Sequence, residues 1–267
     1  AYVIGTNANK SLSPTIFNYW FKKYSIRAVY LARQIKEEEF NKKIKELFDD
    51  KEVCGINVTM PYKERIIKKI LTVDAHSKKI GAVNCLTKKN TSFVGRNTDW
   101  VGFKKALERH RVLPKLKNRN FLEGEIIVVG YGGSSKAIIY SLKKMGYKKI
   151  SVFNRTTKKI TEINGTKSIN LDKLKHHISG ASLIINTIPP SGFYNKKIFQ
   201  NLKKTRTLGF DIVYNKETNF LNYFSKSKRI KGIEMLVCQA APCFKLWFGV
   251  EPKVDEKLIK ILEKKIA

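Results

Sequence analysis

Apolar positions in the first hundred residues switch between a period of two and a period near 3.6. Residues 2–5 (YVIG) read as a strand. From Ser13-Pro14 onward, Ile16, Phe17, Trp20, Phe21 and Tyr24 recur at helical spacing, with Ser13 as cap and Pro14 at the first helical position. RAVYLARQI (27–35) predicts a second strand, and KEEEFNKKIKELF (36–48) a helix burying Phe40, Ile44, Leu47 and Phe48. VCGINVTM (53–60) is a third strand, and Pro61 is expected to open the next helix. GAVNCLTKKNTSFVGRN (81–97) reads as two strands about a polar KKNT turn. Such alternation predicts an α/β domain with a largely parallel sheet.

WVGFKKALERH (100–110) predicts a connecting helix, followed by a basic, turn-rich stretch to Gly124. There the pattern restarts with a strand, EIIVVG, a helix, SSKAIIYSLKKMG, closed by Gly146, and a strand, KKISVFNR. ASLIINTI and TRTLGFDIVY supply later strands. MLVCQAAPCFKLWF (235–248) is apolar at helical spacing, and Pro242 is expected to kink or bound it. EKLIKILEKKI is a final amphipathic helix.

Composition adds function classes to exclude. The 267 residues are 42% hydrophobic, enough for real cores, and carry a formal charge of +31. The 53 basic residues, 43 of them Lys, are scattered along the chain with no basic tail or aromatic-basic motif. Most of that charge reads as solvated surface that attracts anionic small molecules, not as a specific nucleic-acid interface. The four cysteines contain no C-x-x-C pair, which fits a reduced, cytoplasmic chain, and His76, His110, His176 and His177 show no metal-ligand spacing. No apolar run approaches membrane-spanning length, and without an initiator Met the sequence reads as trimmed.

IIVVGYGGSSKAIIYSLKKMG places a glycine turn between a strand and a helix, the context of a dinucleotide fingerprint. Gly130 permits the tight turn, Gly132 lets backbone approach a pyrophosphate at the helix N-terminus, and Gly133 and Ser134 follow; Ser135 stands at the third glycine position. Where an NAD-binding strand would end in a carboxylate, this chain has Asn154-Arg155-Thr156, with Lys158 and Lys159 beyond. A guanidinium and a hydroxyl bind the extra phosphate of NADP, which a carboxylate would repel.

Four polar clusters end strands in the first half: S-L-S-P (11–14), N-V-T-M-P-Y-K (57–63), G-A-V-N (81–84) and N-T-D (97–99). Their donors suit a polyhydroxylated carboxylic acid, and a Lys/Asp pair can handle one proton. Each also has a plain structural use: Ser13 as helix cap, Asn84 in a turn, Asp99 as cap of the helix from Trp100. If Pro61 opens a helix, Lys63 lies in its first turn, where the helix dipole disfavours an ammonium.

Taken in order, these clusters resemble the shikimate dehydrogenase family almost end to end. They are joined by the G-x-G-G loop at Gly130–Gly133, N-R-T at Asn154–Thr156, D-x-x-Y at Asp211–Tyr214 and M-L-x-x-Q-A at Met235–Ala240. The resemblance implies NADPH-dependent, reversible reduction of 3-dehydroshikimate to shikimate in aromatic amino-acid biosynthesis, with Lys63 and Asp99 as the catalytic pair. It implies Ser11, Ser13, Thr59, Asn84, Tyr214 and Gln239 around the substrate, Asn57 nearby, and Ile212 and Gly232 beside the nicotinamide. It further implies an N-terminal α/β substrate domain (1–99), a Rossmann-type NADP domain (100–234), C-terminal helices (235–267) returning to the first domain, and an active site in the cleft between domains. The chain is expected as a monomer or homodimer without a metal. Departures are Lys10 where the family often has His, N-T-I-P-P-S-G at 186–192 in place of N-A-T-x-x-G, and Glu234 in G-I-E-M. Rival readings are a quinate-directed paralogue, a non-catalytic Rossmann binder, and charge-driven nucleic-acid binding.

Overall fold

The structure, a computed structural model, describes residues 1–110, 124–156, 166–188, 199, 202–214 and 219–266. The chain divides into two compact units, Ala1–Gly102 with Leu236–Lys265, and Phe103–Met235.

The first unit is built on a six-stranded sheet of β1 (Tyr2–Gly5), β2 (Leu31–Gln34), β3 (Gly55–Val58), β4 (Thr72–Val73), β5 (Cys85–Lys89) and β6 (Ser92–Arg96). The order is β2-β1-β3-β5-β6-β4. β1 pairs in parallel with β2 and β3, whereas β5 runs antiparallel to both β3 and β6. The sheet is therefore mixed, because a two-residue turn at Asn90-Thr91, with Asn90 at φ 54, cannot reverse the chain into a parallel neighbour.

Helices α1 (Ser13–Lys23), α2 (Phe40–Asp49) and α3 (Ala75–Ile80) pack in this unit, and α4 (Asp99–Arg109) begins in it. α2 buries Phe40, Ile44 and Leu47 as the spacing predicts, into a core with Ile4, Ile56 and Leu86. Three local expectations fail. Ser13 is the first helical residue and not the cap; Leu12 holds the cap position without a side-chain bond, and Ser11 Oγ accepts the Ser13 N–H at 3.1 Å. Pro61 opens no helix: the Met60-Pro61 peptide is cis, residues 60–64 form a turn closed by Tyr62 N–H to Thr59 O at 3.0 Å, and a 3-10 turn starts only at Arg65. The strand expected over 27–35 is only four residues long, since β2 lies at the sheet edge.

After the second unit the chain re-enters the first within α6 (Gly232–Phe248) and ends in α7 (Glu256–Ile266). α6 runs through Pro242, which neither bounds nor interrupts it. Proline costs a helix one N–H donor and crowds the preceding turn, and here aromatic packing outweighs that loss. Phe244 and Trp247 of α6 lie 5.8 and 5.3 Å, ring to ring, from Phe17 of α1, and Phe17 stacks on Tyr30 at 4.1 Å.

The second unit holds β7 (Glu125–Val129), α5 (Gly133–Lys144), β8 (Ile150–Asn154), β9 (Thr166–Asn170), β10 (Ala181–Asn186), β11 (Leu208–Asp211) and β12 (Arg229–Lys231). Its order, β12-β11-β10-β7-β8-β9, is parallel throughout. This is the doubly wound dinucleotide-binding arrangement, with the order reversing between β7 and β10. Successive residues of β7 enter opposite cores: Ile126 and Val128 pack with Ile138, Leu142 and Phe210, while Ile127 and Val129 pack with Phe153, Leu171 and Phe224. A sheet covered on both faces gives the continuous apolar run seen in IIVV. β9 and β12 escaped the sequence reading because they are short edge strands with few buried positions. The turn-rich stretch expected over 111–123 lies outside the described residues.

Candidate active site

In the first unit, Lys63 leaves β3 through the turn at 60–64, and its Nζ lies 2.6 Å from Asp99 Oδ2. The two side chains are only 14% and 5% exposed. Removing both charges from water is costly and is tolerated only where geometry and further hydrogen bonds are good. Asp99 has them. Its second oxygen accepts from Asn84 Nδ2 at 2.8 Å, and its N–H donates to Asn97 Oδ1 at 3.0 Å. A lysine meant only to solubilise a basic surface would not sit here.

Asn84, just before β5, is the centre of the array. Its Nδ2 faces Asp99, Thr98 Oγ1 (3.0 Å) and Gln239 Oε1 (3.0 Å), while its Oδ1 accepts the Thr98 N–H at 2.7 Å. Gln239 comes from α6 and is steadied by Nε2 donating to Leu236 O at 2.9 Å. Gly102 explains how α4 and α6 approach so closely: a Cβ on it would stand 2.8 Å from the Gln239 nitrogen and 2.9 Å from its Cα. The glycine three residues past Asp99 is thus a packing requirement of the site.

Asn57 in β3 is buried, held by Tyr30 OH donating to Oδ1 at 2.7 Å while its Nδ2 donates to Asn84 O at 3.0 Å. Thr59 continues the strand, its N–H donating to Ile4 O at 2.9 Å. At the start of α1, Ser11 Oγ donates to Ser13 Oγ at 3.0 Å, so the Ser13 hydroxyl hydrogen is left to donate elsewhere. Sequence reasoning missed Tyr30 and Cys243, whose Sγ lies 3.2 Å from Asn57 Nδ2. Neither carries a local signal, for one reads as a strand residue and the other as a small helical one.

The second unit contains the other expected group. Gly130 ends β7 at φ +102, a conformation open mainly to glycine, and a Cβ there would lie 2.5 Å from Thr187 Oγ1. Thr187 follows β10, so this contact sits at the topological switch point. Gly132 precedes the first turn of α5, Gly133 and Ser134 begin it, and a Cβ on Gly132 would meet nothing within 4 Å among the described residues. The loop is therefore open on the side a phosphate would take. Ser135 substitutes actively for the third glycine: its Oγ accepts from Gly132 N–H at 3.2 Å and pairs with Thr187 Oγ1 at 2.6 Å. Thr187 in turn donates to Val129 O at 2.7 Å, so its hydroxyl serves the loop's own structure.

At the end of β8, Asn154 Nδ2 donates to Thr156 O at 3.1 Å and both Arg155 and Thr156 are exposed. Lys159 lies outside the described residues, as do 189–192 of the N-T-I-P-P-S-G segment. Ile212 donates its N–H to Asn186 O at 3.1 Å, and Gly232 packs against it so tightly that a Cβ would stand 2.5 Å from Ile212 O. Tyr214 follows β11 in this same unit, apart in the chain from the other expected substrate residues. Glu234 is engaged within the unit by His110 Nε2 at 2.8 Å and Arg109 Nε at 3.3 Å. Burial pushes its carboxyl up, but these two partners outweigh that and leave it below the ordinary range.

Comparison with known proteins agrees with this division. Residues 3–86 match the family described as "Shikimate dehydrogenase substrate binding domain", and residues 113–215 match "Shikimate / quinate 5-dehydrogenase". A shikimate dehydrogenase (NADP(+)) of Pyrococcus abyssi is 34% identical over 95% of this chain and 93% of its own length. Among solved structures, shikimate dehydrogenase from Aquifex aeolicus superposes with a TM-score of 0.81 at 32% identity, covering 99% of this chain and 96% of that one. The Thermus thermophilus shikimate 5-dehydrogenase in complex with NADP(H) and shikimate gives 0.80 at 26% identity, covering 100% and 98%.

Proposed function

The chain belongs to the shikimate dehydrogenase family, and from that premise we propose that it reduces 3-dehydroshikimate reversibly to shikimate with NADPH. The observation that carries this reading is the buried Lys63–Asp99 pair inside a fully hydrogen-bonded polar array. The unit of Ala1–Gly102 with Leu236–Lys265 holds the substrate, and Phe103–Met235 holds the cofactor. NADP fits the residues present: an open glycine loop at the start of α5 for the pyrophosphate, and exposed Arg155 and Thr156, with Lys159 beyond, in place of a carboxylate.

When bound, NADPH supplies the hydride. Lys63 donates a proton to the carbonyl oxygen as it becomes an alcohol, and accepts one back in the reverse direction. Asp99 orients that ammonium and balances its charge at 2.6 Å. Ser13 donates to the substrate carboxylate and Ser11 turns its hydroxyl from Ser13 to do the same, while Asn84, Gln239 and Thr59, with Asn57 behind them and Tyr214, bind ring hydroxyls. Ile212 and Gly232 flank the nicotinamide. The described cysteines are all free thiols, in keeping with a reducing cytoplasm, and no described helix is long and apolar enough to cross a membrane. The protein works as a monomer or homodimer.

The test is a spectrophotometric assay of NADP and NAD reduction with shikimate and with quinate. Turnover of shikimate with NADP is expected. Turnover of quinate alone would move the chain to the paralogous activity, and none with either acid would overturn the reading.

A further inference from the structure

Cys243 is buried on α6, and its sulfur is the meeting point of three other elements. Asn57 Nδ2 of β3 donates to it at 3.2 Å, and Thr98 Oγ1, just ahead of α4, lies 3.3 Å away with either atom able to donate. Its own S–H reaches the Gln239 carbonyl one turn back at 3.5 Å. The buried Cys85 thiol at the start of β5 interacts with it as well. A buried cysteine needs no such company, since it ordinarily behaves as a small hydrophobe. The Asn57 N–H makes the sulfur an acceptor, and although burial would push the Cys243 thiol up, its polar neighbours Cys85, Thr98 and Asn57 bring it down.

Its partners matter because of what they hold. Thr98 fixes both ends of the Asn84 carboxamide, taking one hydrogen bond from Nδ2 at 3.0 Å and giving its N–H to Oδ1 at 2.7 Å. Asn84 in turn holds Asp99 Oδ1, whose other oxygen meets Lys63. On the other side, Tyr30 fixes Asn57 Oδ1 at 2.7 Å, so Asn57 Nδ2 is aimed at Asn84 O and the sulfur. The continuous path is Tyr30, Asn57, Cys243, Thr98, Asn84, Asp99, Lys63, and it passes through the Cys243 sulfur.

We propose that Cys243 is a positioning residue for the Asn84–Asp99–Lys63 array: its sulfur ties Thr98 to an Asn57 already held by Tyr30, and through Thr98 it steadies the carboxamide that faces the substrate and the carboxylate that orients Lys63. It touches neither substrate nor cofactor. The inference rests on the shikimate dehydrogenase reading and deepens it by adding a buried layer behind the substrate groups.

Steady-state kinetics of the full-length chain test it, comparing wild type with Cys243→Ala, Cys243→Ser and Thr98→Val. Cys243→Ala removes the sulfur that Asn57 and Thr98 both meet, leaving Asn57 Nδ2 with Asn84 O and Thr98 Oγ1 with Asn84 and Gln239 Oε1 only. It should raise KM for shikimate by roughly tenfold and lower kcat, with KM for NADP unchanged. Cys243→Ser restores an acceptor on a shorter bond and should recover a substantial part of the loss. Thr98→Val, which cuts the path on its other side, should reproduce the Ala phenotype. It also keeps the question answerable if Cys243→Ala fails to fold, because a wild-type-like Thr98→Val would then overturn the proposal. Kinetics of Cys243→Ala equal to wild type, or Ser no better than Ala, would overturn it while leaving the activity intact. A wild-type protein that turns over no shikimate would remove both readings together.

Discussion

The two units solve opposite problems. In the first, the polar groups are buried and their partners are distant in sequence: Lys63 and Asp99 are 36 residues apart, Asn84 and Gln239 155. In the second, the groups proposed for the cofactor phosphates are local and partly exposed, a glycine loop running straight into a helix and three consecutive residues at a strand end. A phosphate can be met by backbone N–H groups and a guanidinium at the surface, where water tolerates imperfect pairing. Proton transfer to a ring acid needs a dry, over-determined setting, because an unpaired buried charge costs far more than an exposed one. The difference predicts coupled effects in the first unit and separable ones in the second.

Lys63→Ala should show the largest effect. It should lose on the order of 10²–10⁴-fold in turnover, the range for a removed acid–base group, with NADP binding unchanged and shikimate affinity changed far less. The double variant with Asp99→Ala should lose little more, since partners in one unit are non-additive. Additive losses would break the contrast drawn above.

Arg155→Ala should act alone and on one ligand. Loss of a charge-assisted contact of about 1.5–3 kcal/mol should raise KM for NADP by roughly 10- to 150-fold, with little change for NAD or for shikimate. Equal effects on the two cofactors would show that Arg155 does not read the phosphate.

Gly102→Ala should reveal how far the substrate array depends on helix packing. Forcing a methyl against the Gln239 backbone should cost about 1–3 kcal/mol in thermal or denaturant unfolding and weaken shikimate binding with it, while NADP affinity holds. Replacing Ser11 and Ser13 together by Ala should be milder, weakening shikimate binding by roughly tenfold with NADP binding intact. Wild-type shikimate affinity in that double variant would reduce S-L-S-P to a helix start.

The smallest effect belongs to a group outside both sites. Burial raises the Asp255 carboxyl, but Lys23, the Leu258 N–H and Tyr19 OH outweigh it and hold the group below its ordinary range. A depressed carboxylate contributes stability above its unfolded pKa of about 3.9, and that contribution disappears as pH falls through the lower folded value. Asp255→Asn should therefore lower Tm modestly at neutral pH and flatten its fall on acidification, without changing either KM.

Much of this was legible in the chain, and for physical reasons. The continuous apolar run of β7, the apolar stripe of α2 and the glycine turn before α5 depend on near neighbours, so patterning and a fingerprint identify them. So does Asn154-Arg155-Thr156, whose chemistry faces outward from a strand end. The ordered clusters around Ser11, Lys63, Asn84 and Asp99 pointed to a family because their spacing is long and specific.

What sequence alone determined, then, is the alternation of elements, the cofactor loop and the residue types available for a proton transfer. Tertiary structure decided the rest. It placed Ser13 inside α1 with Ser11 Oγ accepting its N–H, turned the chain at Pro61 so that Lys63 meets Asp99 from a turn, and carried α6 through Pro242 on aromatic packing. It also drew Tyr30 and Cys243 behind the site, where neither has any local signal. A local motif is written in residues that touch along the chain. A buried polar group takes whichever partners the packed core brings to it, and must have them all.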